Sequence, residues 1–140
     1  MNDYELVLIE KGVTQEWVDK ITLDERDQKP FDRDYSVLLS SSDIHGQGLF
    51  AMSQFVEGAF VCPARLDGFR TPAGRYINHA KDPNCKMVEI EDNNIVVIAL
   101  QSIELGSELT VDYRQSSKVA EDSVNIDQYN KIYKPFNPRS

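Results

Sequence analysis

Arg75-Tyr76-Ile77-Asn78-His79 and Glu108-Leu109-Thr110-Val111-Asp112-Tyr113 are the two stretches on which the reading of this chain turns. An Asn-His dipeptide sets four hydrogen-bonding groups side by side, and a tyrosine closing a β-prone run supplies a phenol at a strand end, where functional groups collect. Each block alone has a bland explanation: a satisfied structural histidine, or a tyrosine with its ring buried and its hydroxyl wet. Between them lie two β runs, residues 86–91 and 94–100, joined by an expected turn at Asp92-Asn93, so the blocks stand a strand hairpin apart.

Working outward, short strands are expected over residues 35–39, 48–52, 59–62 and 109–111, and residues 102–105 read as one helical turn ended by Gly106. Gly46-Gln47-Gly48 joins two strands, which excludes the dinucleotide fingerprint, because that motif opens a helix; a tight turn is the simpler use of two close glycines. The N-terminal third differs. Thr14 is placed to cap a short helix through Ile21, with Val13 and Val18 as a hydrophobic staple and Trp17 and Ile21 on one face. Residues 24–34, highly charged and broken by Pro30, read as a linker or solvated loop. Residues from Ser116 to Asp127 are polar, and the chain then turns aromatic and proline-rich at Tyr129, Tyr133, Pro135, Phe136 and Pro138.

A chain of 140 residues suffices for one domain with a real core but not for two. Its longest apolar run, Ile95-Val96-Val97-Ile98-Ala99-Leu100, is far below the ~20 residues of a spanning helix. Met1-Asn2-Asp3-Tyr4-Glu5 lacks the basic start of a signal peptide, so the expectation is a soluble, intracellular and cytoplasmic protein, or a nuclear one in a eukaryotic setting. Cys62 and Cys85 have no Cys-x-x-Cys spacing, so neither a zinc cluster nor a disulfide framework is indicated, and no metal is expected. With 15 basic against 23 acidic residues the net charge is -8, which disfavours nonspecific binding to nucleic acid and favours a basic partner such as a Lys-rich segment, although acidity also serves solubility alone.

Taken in order, Ser42-Asp43-Ile44-His45-Gly46-Gln47-Gly48-Leu49-Phe50-Ala51, the Asn78-His79 block and the block ending in Tyr113 resemble the SET-domain protein-lysine methyltransferases, over about residues 35 to 114. The resemblance implies a mainly β fold, the SET-domain β-clip of small curved sheets with a C-terminal pseudoknot, plus the short N-terminal helix. It divides the chain into an N-terminal extension (1–34), a SET core (35–116) and a C-terminal tail (117–140) packing on the core or the active site. Residues 61–73 are short where larger relatives insert a substrate-gripping region, as in the minimal SET domains of viruses, phages and bacteria as well as eukaryotes. Asp82-Pro83-Asn84-Cys85 continues the likeness and makes Cys85 a buried small side chain rather than a nucleophile.

The cofactor so implied is S-adenosylmethionine, held by His45, Gly46, Gln47, Gly48, Leu49, Arg75, Tyr76, Asn78, His79 and Tyr113, with Tyr113 as the terminal catalytic tyrosine. Gln47 stands where the family commonly has a basic residue and Ala80 where it usually has serine. With no Cys-rich flank to close the substrate channel, the tail residues Tyr129, Tyr133 and Phe136 are the expected lid, a purely structural strap being the alternative. Methyl transfer demands alignment of the sulfonium methyl with a neutral lysine amine, whose free pKa of ~10.4 an apolar channel lowers by disfavouring charge. The implied partner is a protein or peptide with an accessible, basic lysine segment, with no nucleic acid, no membrane and an open oligomeric state, a homodimer included. Two other readings stand beside this one: a catalytically silent SET-fold protein-binding module, and an acidic decoy or inhibitor of a basic partner. Arg75 and Glu108, which open the two blocks with opposite charges, are expected to pair where the blocks cross.

Overall fold

The computed structural model describes residues 2–91 and 94–123. It opens with two helices set by their boundary residues. Asn2 caps α1 (Asp3–Lys11) by accepting from the Glu5 amide at 2.8 Å, Asp3 and Glu5 suit the positive end of the helix dipole, and Gly12 ends it. This helix falls outside the sequence expectations. Thr14 caps α2 (Gln15–Leu23), accepting from the Trp17 amide at 3.1 Å, as its sequence predicts; the helix ends at Leu23 rather than Ile21.

The remainder is mostly strand, as expected: β1 (Val37–Ser41), β2 (Gln47–Ala51), β3 (Phe60–Leu66), β4 (Phe69–Arg70), β5 (Asn78–His79), β6 (Cys85–Ile90), β7 (Asn94–Ala99) and β8 (Glu108–Val111). Two short helices join them, α3 (Pro72–Tyr76) before β5 and α4 (Tyr113–Ser123) after β8. The strands form two four-stranded sheets in the orders β1-β2-β8-β5 and β4-β3-β7-β6. Ile95, Val96 and Val97 are all buried because β7 is an inner strand, which explains the uninterrupted apolar run. Ile90 faces Asn94 across the β6–β7 pair, while the expected turn at Asp92-Asn93 lies outside the described residues. The pairing that brings the two blocks together is short and parallel: β5 lies against β8 with Asn78 opposite Thr110 and His79 opposite Val111. Asn84 braces it, its Nδ2 donating to the Glu108 carbonyl and its Oδ1 accepting from the Thr110 amide, both at 2.9 Å.

Three local expectations are corrected. Residues 102–105 form no helical turn; Ile103 makes a two-bond bridge with Phe55 instead, because burying both side chains outweighs the weak helical preference of so short a piece. Residues 24–34 are not simply solvated: Glu25–Asp27 is a single 3-10 turn, and the Asp27 carboxylate is fully buried against Arg70, which donates from Nε and Nη2 at 2.9 to 3.1 Å. Arg65 Nη1 stands 3.9 Å away, and Arg70 also reaches the Ile21 carbonyl, so this pair fastens the end of α2 to the sheet. Tyr113 does not close a strand but begins a helix. Asp112 starts it, its side chain accepting from the Arg114 amide at 2.9 Å, and Gln115 bonds both the amide and the carbonyl of Met87 on β6.

Cys62 and Cys85 are free thiols in the core, and burial pushes both up, Cys85 to about 12. Cys85 is thus inert packing, as its sequence context implies.

Candidate active site

The turn before β2 is built by Ser42. Its amide donates to the Gly46 carbonyl at 2.8 Å, and its hydroxyl oxygen accepts from the Ile44 amide at 2.9 Å. Gly46 has φ +48, a conformation that glycine adopts without steric cost. The same hydroxyl donates to the Glu108 carboxylate, lying 2.7 and 2.8 Å from its two oxygens. Gly48 makes room for that approach, since a Cβ there would overlap Glu108 Oε2 and push the carboxylate aside. Its bare backbone therefore admits a carboxylate of the protein itself.

Asn78 completes the cluster. Its Nδ2 lies 2.9 Å from Glu108 Oε2, 3.0 Å from the His45 carbonyl and 3.1 Å from the Gln47 carbonyl. Three acceptors converge on an amide that has two hydrogens, and one of them is a full negative charge. A primary ammonium, with three donors and a positive charge, matches that acceptor set more closely than an amide does.

His79, next along β5, is buried with its side chain 2% exposed. Its Nδ1 accepts from the Tyr113 amide at 3.0 Å, so its proton sits on Nε2, which donates to Asp3 Oδ2 at 2.7 Å. Arg114 binds the same carboxylate at 3.0 and 3.1 Å, and these two partners, Arg114 foremost, hold the Asp3 carboxyl down at about 2. The Tyr113 hydroxyl donates to the Ile77 carbonyl at 2.7 Å. Burial, then the nearby Tyr4 and Glu108, push this phenol well above its ordinary value, so it stays protonated.

The structure thus brings His45, Gly46, Gln47, Gly48, Asn78, His79 and Tyr113 together. Leu49 is a fully buried core residue, paired with Leu109 across β2 and β8. Arg75 turns the other way: its Nε donates to the Thr22 carbonyl at 2.5 Å, its Nη1 to Gln28 at 2.8 Å, and its guanidinium sits 4.8 Å from the centroid of the Tyr76 ring. The expected Arg75–Glu108 pair is accordingly not formed. α3 carries Arg75 toward α2, where an open carbonyl receives it, while Ser42 and Asn78 occupy Glu108. Tyr129, Tyr133 and Phe136 lie outside the described residues.

Ser42, Asp3, Tyr4 and Asn84 also build the site, although none is among the candidate residues that the sequence offers. The signal for the two on α1 was present, an Asn2 cap with acidic residues behind it and Gly12 to end the helix. Beside Tyr113 lies a mostly apolar cavity of about 230 Å³, whose lining includes Val7, Trp17, Val18, Ile77, Met87 and Ala120. Among the described residues, the Trp17 indole nitrogen is buried without a hydrogen-bond partner.

Residues 9–114 match the SET domain, and the chain belongs to the SET-domain family. Among solved structures it is similar to a humanized mutant of the Chaetomium thermophilum Polycomb Repressive Complex 2 bound to an inhibitor, with 24% identity over 60% of this chain and a TM-score of 0.50. It is likewise similar to ctPRC2 in an autoinhibited conformation bound to S-adenosylmethionine, with 21% identity over 71% of this chain and a TM-score of 0.51. The matched region spans 15% and 17% of those chains, and the likeness is one of fold. No curated protein matches the chain in sequence. Among the described residues there is no helix long and apolar enough to cross a membrane and no cluster of three or more His, Cys, Asp or Glu that could hold a metal ion.

Proposed function

We propose that this protein transfers a methyl group from S-adenosylmethionine to the side-chain amine of a lysine in a protein substrate. The observation that carries the reading is the parallel β5–β8 pair, which sets Asn78, His79, Glu108 and Tyr113 in one cluster against the Gly46–Gly48 turn of a SET-family chain. The same pairing supports the C-terminal pseudoknot that the resemblance implies. When bound, S-adenosylmethionine supplies a methyl on a cationic sulfonium, which leaves as a neutral thioether once an amine has taken the methyl.

The residues fit this ligand. The remaining lone pairs of the His45 and Gln47 carbonyls and of the Glu108 carboxylate, which already hold the Asn78 amide in place, would accept from its α-ammonium. The Tyr113 hydroxyl donates its proton to the Ile77 carbonyl in a hydrogen bond, which leaves the lone pairs of the phenolic oxygen to orient an incoming amine. The cavity beside it would take the aliphatic stem of the lysine, and its mostly apolar lining, which also includes Lys11, Arg65, Arg70 and Arg75, favours the neutral, nucleophilic amine over the charged one. The charge of -8 supports a basic substrate segment, and the two free buried thiols support a reducing, cytoplasmic setting.

A thermal-shift titration with S-adenosylmethionine and S-adenosylhomocysteine is the first test, since a ligand that binds only the folded state raises the midpoint with its concentration. Transfer of label from methyl-labelled cofactor to a lysate protein, lost in Tyr113→Phe, would then establish the reaction. No shift at saturating cofactor would favour a protein-binding role instead.

A further inference from the structure

Asp3 and Tyr4 precede the 9–114 span that matches the SET domain, yet they reach the centre of the site. The Tyr4 ring centroid lies 6.3 Å from that of His45 with the planes 23° apart, 6.3 Å from His79 and 6.0 Å from Tyr113. Those three residues come from the turn before β2, from β5 and from the start of α4, so one side chain lies against three of the segments that build the cluster.

The helix that carries Tyr4 is built into the fold. Asp3 is bonded to His79 and Arg114, Glu10 accepts from Arg114 Nε at 2.6 Å, and Val7 is 1% exposed in the interior. The Tyr4 hydroxyl donates to Gln15 Oε1 at 2.7 Å on α2, which pins the far end of the ring as well. A ring held at both ends loses little further freedom when a flat ligand packs on it, so it is a preorganised stacking surface.

We propose that Tyr4 is a cofactor-binding residue, its ring forming the aromatic wall against which the purine of S-adenosylmethionine packs, with α1 as the permanent closing element of the site. This rests on the methyltransferase reading above. The attachment of α1 through Val7 and two ion pairs favours a fixed wall over a plug that must leave before the cofactor enters.

The test is calorimetry of the full chain with S-adenosylhomocysteine and, separately, with 5′-methylthioadenosine, which has the purine but no amino acid end. Tyr4→Phe should bind both within about twofold of wild type, while Tyr4→Leu and Tyr4→Ala should lose roughly fivefold or more for both ligands. Nuclear Overhauser contacts between the purine protons and the Tyr4 ring in the wild-type complex provide a readout that needs no variant, should a substitution unfold α1. Unchanged affinity in folded Tyr4→Leu, or an absence of those contacts in a saturated complex, overturns the wall. Tighter binding in Tyr4→Ala also overturns it, by showing that the ring occupies the place of the purine. Failure of wild type to bind either ligand removes the methyltransferase reading itself.

Discussion

Nε2 of His79 donates to Asp3 Oδ2 across 2.7 Å while Nδ1 of the same ring accepts from the Tyr113 amide at 3.0 Å. One imidazole therefore joins the first helix, the short parallel strand and the start of the last helix, and its tautomer is fixed by what lies on either side. Nothing local in the sequence connects residues 3, 79 and 113.

This junction carries a pH signature. The folded-state value of Asp3 is depressed to about 2 from its ordinary 3.8, by Arg114 first and His79 second, so its contribution to stability is complete above about pH 4 and disappears as pH falls toward 2. Urea denaturation of wild type and Asp3→Asn should give curves that stand apart at neutral pH and converge between pH 4 and 2. A separation that persists unchanged to pH 2 would mean that the carboxylate charge plays no part.

Asn78→Ala should leave the carbonyls of His45 and Gln47 without their Nδ2 donor, beside a Glu108 carboxylate that keeps only the Ser42 hydroxyl of its two side-chain donors. An unmatched buried polar group costs ~1 to 3 kcal/mol, so the folded variant should bind S-adenosylhomocysteine about tenfold more weakly or worse. Equal affinity by calorimetry would take Asn78 out of the site.

Asp27→Ala removes the buried partner of Arg70 and should destabilise by ~3 to 5 kcal/mol. Breaking the exposed Lys29–Asp67 pair, whose side chains are 40% and 67% accessible, should cost less than ~1 kcal/mol. Chemical denaturation of the two variants side by side checks the contrast. Comparable losses would show that Asp27 is wetter than its burial indicates.

Tyr113→Phe deletes the hydroxyl and strands the Ile77 carbonyl, so a stability loss of ~1 to 3 kcal/mol should accompany a fall in turnover of ~10². Cofactor affinity should move little, because the oxygen acts mainly as the methyl moves toward the amine. A variant with wild-type rate and product pattern would show that Tyr113 is not catalytic.

What the sequence discloses is local, and what it conceals is contact across distance. The runs around Leu49, Val97 and Leu109 announce strands through their apolar, β-prone residues, and Thr14 announces its helix through capping. The Asn78-His79 and Tyr113 blocks declare a candidate site by residue type, but their neighbours do not follow. Arg75 and Glu108 have opposite charges and symmetric positions, which says nothing of the Thr22 carbonyl or the Ser42 hydroxyl that engage them. Asp27 illustrates the same limit, since a charged stretch reads as solvated until two arginines from β3 and β4 surround one of its carboxylates. Tyr113 is legible as a phenol at the end of a β-prone run but not as a helix start, because that depends on how Asp112 bonds the Arg114 amide.

Gln115 lies against the margin of a sheet. β6 is an outer strand, and outer strands invite another chain to add by backbone pairing. At Met87 a side-chain amide already takes both the donor and the acceptor that such a chain would use, at 3.0 and 2.6 Å. The margin of that sheet is therefore interrupted in mid-strand, so copies of this protein have no continuous template there along which to zip into a shared sheet or to seed aggregation.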